Sequence, residues 1–186
     1  MSGIINKIGS KSGTVKREEP SVIRWRLYED PGSGGQDPLG SNNDWIVSGG
    51  AVTDVPVEFA VGYFGSSTLV TEASGIFSFT ETGYYHIKSQ VMHHQYSGDT
   101  LWVRCYHLLS NNGTGGTYNV STTAYSSTND NEYSHIPQSS LVKVTDVSND
   151  KFKLAVATQA ITTTWLYEGT DGLNVTYIDF IKLGGL

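Results

Sequence analysis

Residues 74 to 109, SGIFSFTETGYYHIKSQVMHHQYSGDTLWVRCYHLL, constrain the fold more than any other stretch, because they alternate through three successive runs. Phe77 and Phe79 beside Ile76, then Tyr85, Ile87, Ser89 and Val91, then Leu101, Val103, Cys105 and His107 form the repeating sets. A period of two sends one set of side chains to a core and the other outward, the signature of strands. Glu81-Thr82-Gly83 and Ser97-Gly98-Asp99 supply the turns between the runs.

The rest of the chain repeats this pattern. Short apolar or alternating runs begin near residues 45, 55, 68, 83, 100, 117, 139, 151, 163 and 174, with turn sequences such as Asn111-Asn112-Gly113 and Ser148-Asn149-Asp150 between them. With 21 glycines, 11 tyrosines and only 12 lysines and arginines in 186 residues, the chain is suited to strands and turns rather than helices. Such spacing predicts an all-β sandwich or jelly roll, and no internal repeat suggests a solenoid or propeller. The length suits one principal domain with some additional chain.

Residues 1 to 20 are different in kind. They mix glycine, serine and charge with a few isoleucines, too little to form a core, and predict an extended docking arm. Lys7, Lys11, Lys16 and Arg17 are unaccompanied by acid up to residue 17, while all 18 acidic residues lie beyond, although the chain as a whole is −6. A basic arm suits acidic protein surfaces, and Ile4, Ile5 and Ile8 suit apolar grooves. Nucleic-acid binding by the acidic body is disfavoured. Residues 21 to 29 alternate as an arm or edge strand, and the Gly/Pro/Asn-rich residues 30 to 44 read as a linker. The expected division is an arm at 1–20, an arm strand and flexible linker at 21–44, and a head at 45–186. No run approaches the ~20 apolar residues of a membrane span, and the isoleucines of the arm are too few for a signal-peptide core. The expectation is no membrane insertion and synthesis in a cytoplasm.

Gly75-Ile76-Phe77, Gly83-Tyr84-Tyr85-His86-Ile87, Leu101 to Asn112, Ser140 to Val144 followed by Asp150 to Leu154, and Tyr177 to Leu183 occur in an order that resembles a known family. They resemble the trimeric jelly rolls of the complement globular-head and tumour-necrosis-factor superfamily over roughly residues 45 to 186. The resemblance implies an antiparallel jelly-roll sandwich that assembles as a homotrimer. Ile87 stands where an aromatic is usual, Asn149-Asp150 replaces the usual Gly-Asp, and there is no collagen-like stalk. Separately, Gly3 to Gly13 resembles the opening of virion proteins from tailed phages of marine bacteria.

No Gly-x-Ser-x-Gly, phosphate loop, His-Glu-x-x-His or Cys-x-x-Cys is present, so no catalytic residue is assigned and an enzyme is not expected. His93 and His94 are adjacent on one strand and point to opposite faces, so they cannot share an ion; no metal or cofactor is expected. The lone Cys105 excludes an intramolecular disulfide. Trp165 and Tyr167, or alternatively Tyr118, Tyr125 and Tyr133, are candidate sugar-binding aromatics, since ring faces and hydroxyls suit carbohydrate. The resemblances imply a non-enzymatic virion protein, a trimeric capsid-decoration or fibre protein assembled in the host cytoplasm. Its arm would dock Ile4, Ile5, Lys7, Ile8, Lys11, Lys16 and Arg17 on capsid or tail proteins. The alternative is a fibre-tip module that binds a host surface glycan or receptor.

Overall fold

The computed structural model describes residues 21–27, 45–47, 68–95, 103–111, 117–127, 132–158, 165–167 and 176–186. They form strands β1 (Ser21–Leu27), β2 (Trp45–Val47), β3 (Val70–Ala73), β4 (Ile76–Phe79), β5 (Gly83–Gln95) and β6 (Val103–Asn111). The remaining strands are β7 (Asn119–Ser126), β8 (Tyr133–Val144), β9 (Asp150–Thr158), β10 (Trp165–Tyr167) and β11 (Tyr177–Gly184). The arm at 1–20, the linker at 30–44 and the run at 55–64 lie outside the described residues.

Two antiparallel sheets pack face to face as a jelly-roll sandwich. One runs β8-β5-β11-β1-β2, with β10 also paired to β5 beyond the end of β11; the other runs β3-β4-β9-β6-β7. Alternation is kept on both: Tyr85, Ile87 and Val91 of β5 and Val142 and Val144 of β8 face Phe77, Phe79, Val103, Cys105, Phe152 and Leu154. Phe77 lies 5.2 Å from Phe180 and 6.0 Å from Phe152 between ring centroids, and Phe152 meets Phe180 edge-on at 5.4 Å. Offset and edge-to-face rings pack efficiently, and full burial of each contributes about 1.5–3 kcal/mol.

Three features differ from the sequence reading. Ser21–Leu27 is not an arm or edge strand: it pairs with β11 on one side and β2 on the other, and Ile23 is fully buried. The sheet of the head therefore includes residues before the expected start at 45. The run at 68–79 is a hairpin, turned at Ser74 and Gly75 with φ of 52° and 75°, and Glu72 caps it by accepting a bond from the Gly75 N–H at 2.7 Å. Strand β8 begins at Tyr133, six residues before the recognised run, and includes Pro137; among the described residues β8 is a sheet edge, which tolerates the missing N–H there.

Two local devices set the ends of β5 and β9. Gly83 has φ of 150°, and a side chain there would place its Cβ 2.4 Å from the Gly184 carbonyl oxygen, so only glycine lets β5 begin beside the end of β11. Asp150 closes the β8–β9 turn by accepting N–H bonds from Thr145 at 2.7 Å and Asp146 at 2.9 Å. Asp146 in turn accepts from the Asn149 side chain and the Ser148 N–H, which hold its carboxyl below the usual range.

Candidate functional site

The outer face of the six-stranded sheet is set by the even positions of β5. Tyr84, His86 and Lys88 stand in register with Lys143, Leu141 and Ser139 of β8, and His86 and Lys88 also with Ile181 and Asp179 of β11. At one end this face is apolar. Leu141 is 74% exposed, Leu183 50% and Tyr84 48%. Leu183 projects there because it keeps the outward phase of Asp179 and Ile181 on β11, whose neighbours Ile178 and Phe180 are in the core. Tyr84, Leu141, Lys143, Leu183 and Gly184 surround an open concavity of about 510 Å³.

Farther along the same face, Arg24 of β1 grips Asp179 of β11 with two parallel bonds, Nε to Oδ1 at 2.6 Å and Nη2 to Oδ2 at 2.8 Å. Its guanidinium also lies 4.0 Å above the Tyr177 ring. The bonds to Asp179 hold the arginine charged, raising its pKa further above its ordinary value against the opposing effect of burial.

The outer face of the five-stranded sheet has another chemistry. Arg104 of β6 lies 4.7 Å from the centroid of Tyr125 on β7, and its Nη1 donates to the Tyr106 hydroxyl at 2.9 Å. Lys153 of β9 lies 4.1 Å from the centroid of Tyr118. Tyr125 is 58% exposed and Val120 54%.

Between the sheets lies a polar link. His107 of β6 is fully buried; its Nε2 meets Ser89 Oγ of β5 at 2.7 Å and its Nδ1 meets Ser140 Oγ of β8 at 2.9 Å. A neutral imidazole satisfies this pair as donor on one side and acceptor on the other, and burial depresses its pKa to about 3. The ring also stands edge-on to Phe152 at 5.1 Å, out of reach of any substrate, so this Ser-His-Ser chain joins the sheets rather than activating a nucleophile. His93 is likewise fully buried, with its pKa lowered to about 4 by burial and then by His135. Burial pushes the Cys105 thiol far up, so it is an inert core side chain.

Of the candidate aromatics, the described Tyr118, Tyr125 and Tyr133 are divided between the two sheets. Tyr118 and Tyr125 belong to the outer face of the five-stranded sheet through their contacts with Lys153 and Arg104. Tyr133, 54% exposed, begins β8 on the other sheet, opposite His94. Trp165 and Tyr167 lie in β10, in register with Gln95 and His93; their side chains lie outside the described residues, as do Ile4, Ile5, Lys7, Ile8, Lys11, Lys16 and Arg17. Among the described residues no three His, Cys, Asp or Glu side chains are grouped to hold a metal ion.

Sequence reasoning missed the apolar end of the first face and the cations on the second. The first had a signal: in Ser140-Leu141-Val142-Lys143-Val144, Leu141 falls on the phase of Lys143, not on that of the valines. The cation–ring pairs had none, because each joins two different strands.

No protein-family model matches the chain, and no curated protein matches it in sequence. Solved structures do match in fold. Murine APRIL at pH 5.0 superposes with a TM-score of 0.54 at 14% identity, over 89% of this chain and 100% of that one. The Eiger TNF of S. frugiperda superposes with a TM-score of 0.55 at 14% identity, over 90% and 96%. The head therefore has a jelly-roll fold like that of tumour-necrosis-factor proteins.

Proposed function

We propose that the chain is a non-enzymatic structural protein whose jelly-roll head assembles as a homotrimer through the outer face of the six-stranded sheet. The observation that carries this reading is the apolar end of that face, where Leu141, Leu183 and Tyr84 project around an open concavity. Burial of a leucine contributes about 1.5–3 kcal/mol, so several such side chains from each copy around a threefold axis favour association. The resemblance to trimeric jelly rolls supports three copies rather than two. Light scattering on the full chain is expected to give the trimer mass, and Leu141→Glu is expected to give a folded monomer. A wild-type monomer at micromolar concentration would sink the proposal.

In the same reading the trimer is displayed on the surface of a phage particle, attached to capsid or tail proteins by residues 1–20. The support is the likeness of Gly3 to Gly13 to phage virion proteins. Ordering an arm costs roughly 1–2 kcal/mol per residue, so one copy would bind weakly. Three arms on one trimer gain about 10²–10⁴ in avidity. Deleting residues 1–20 is expected to leave the trimer intact but absent from particles. Wild-type occupancy by the truncated protein would refute the arm's role and leave the trimer reading standing.

A further inference from the structure

We propose that the outer face of the five-stranded sheet is a binding platform for a short anionic carbohydrate, with Tyr125 and Tyr118 as stacking surfaces and Arg104 and Lys153 as the groups that meet its carboxylates or sulfates. The proposal concerns the face opposite the self-association surface and stands whether the head is a trimer or not.

Three observations converge on it. First, the rings and cations are paired across strands: Arg104 with Tyr125 at 4.7 Å and Lys153 with Tyr118 at 4.1 Å. Cation–π contact holds each charge over a ring face instead of leaving it to wander in solvent, so a ligand finds both together. Second, the local charge opposes that of the molecule. Strands β6, β7 and β9 carry Arg104, Lys151 and Lys153 against Asp150 alone, in a chain whose net charge is −6. Asp150 is engaged in its turn, and Lys151 Nζ donates to the Val147 carbonyl at 3.0 Å, so Arg104 and Lys153 are the cations that define the face. Third, the two pairs are separated along the sheet. Lys153 is in register with Leu108, four residues along β6 from Arg104, which at 3.4 Å per residue is roughly 13–14 Å.

A sugar ring offers an apolar C–H face to a tyrosine and its acidic substituent to the cation beside it. An oligosaccharide with acid groups on separated residues can engage both pairs at once. Thr123, in register with Tyr106, adds a hydroxyl between them. Single-stranded nucleic acid also stacks on aromatics, but it carries a phosphate at every nucleotide and is bound by grooves of continuous positive charge. Two cations so far apart match sparse charge better.

The test is titration of the full-length protein with hexagalacturonate, a sulfated hexasaccharide, neutral maltohexaose and a dT hexanucleotide, read by calorimetry and by NMR shifts of β6, β7 and β9. Saturable, salt-sensitive binding of at least one acidic hexasaccharide is expected, with maltohexaose at least tenfold weaker. Whether hexagalacturonate or the sulfated sugar binds identifies the acid group. Tyr125→Ala and Lys153→Met are each expected to weaken binding about two- to tenfold, the range given by stacking and cation–π contacts. Tyr125→Phe is expected to retain it, and the melting temperature controls for folding. Absence of binding by both acidic sugars, equal binding of maltohexaose, tighter binding of the hexanucleotide, or indifference to both Tyr125→Ala and Lys153→Met would each overturn the proposal.

Discussion

The two outer faces of this sandwich rest on one core yet differ in what they offer to a partner. Each has an arginine stacked on a tyrosine, Arg24 on Tyr177 and Arg104 on Tyr125. On the six-stranded sheet Arg24 is clamped to a carboxylate, and the apolar group around Leu141 lies nearer the strand ends. On the five-stranded sheet Arg104 bonds a tyrosine hydroxyl, and a second cation, Lys153, lies over a second ring. A face whose arginine is matched by a carboxylate and whose exposed leucines gather at one end suits association with another protein surface. A face of rings carrying cations suits a polar, acidic ligand. Fold alone does not decide between these uses; the outward phase of each strand does.

The comparison is broken most severely by removing what both faces share. Phe180 joins the sheets through Phe77, Phe79 and Phe152. Phe180→Ala is expected to destabilise the protein by about 3–5 kcal/mol, measured by chemical denaturation. Both outer faces should be lost in one transition; separate transitions for the two sheets would contradict a single core.

A smaller effect is expected at the clamp. Asp179→Asn keeps the shape but removes the charge that Arg24 grips through two bonds. The expected cost is about 1.5–2 kcal/mol, the lower part of the range for charged hydrogen bonds, because the pair is not wholly enclosed. A variant as stable as the parent would show that the clamp contributes nothing net.

Acid tests the link between the sheets. The pKa of His107 is about 3 in the folded protein against an ordinary 6.5, so below pH 6.5 the unfolded chain takes up a proton that the folded one refuses. Stability is complete above pH 6.5 and falls as pH drops towards 3, by up to about 1.4 kcal/mol per pH unit from this residue. His93, lowered to about 4, adds to the loss over a shorter interval. Denaturation midpoints at pH 7, 6, 5 and 4 should therefore decline, and His107→Gln should flatten the decline even if it lowers stability at pH 7. An unchanged slope in that variant would assign the acid sensitivity elsewhere.

What was legible in the sequence follows from the range of the forces involved. Alternation within a strand is local, so β5, β6, β9 and β11 and their inward residues could be read directly, Ser89 and His107 included. That these two residues bond each other could not, since they come from different sheets. The place of β1 in the middle of its sheet depends on partners such as Asp179, 155 residues beyond Arg24. Its own pattern of Val22 and Arg24 against Ile23 and Trp25 was legible, but no local signal reports a neighbour so distant. The first half of β8 was hidden by Pro137, which breaks a strand pattern locally and is tolerated where β8 lies at the edge of the sheet formed by the described residues.

The smallest expected effect sharpens the comparison most. Tyr125 and Leu141 are both more than half exposed on an isolated chain, at 58% and 74%. If exposure alone governed the outcome, replacing either by serine would change stability by no more than about 0.5 kcal/mol, as at ordinary surface positions. The proposed roles separate them. Leu141→Ser removes apolar surface that a trimer would bury, so its stability should become more dependent on protein concentration and its dissociation detectable on dilution. Tyr125→Ser should leave both the mass and its concentration dependence unchanged, with a stability shift within about 0.5 kcal/mol. Light scattering and denaturation of the two variants across a hundredfold dilution make the comparison. Identical behaviour would mean that the six-stranded sheet's apolar end is not an interface, and dissociation caused by Tyr125→Ser would move the interface to the other sheet.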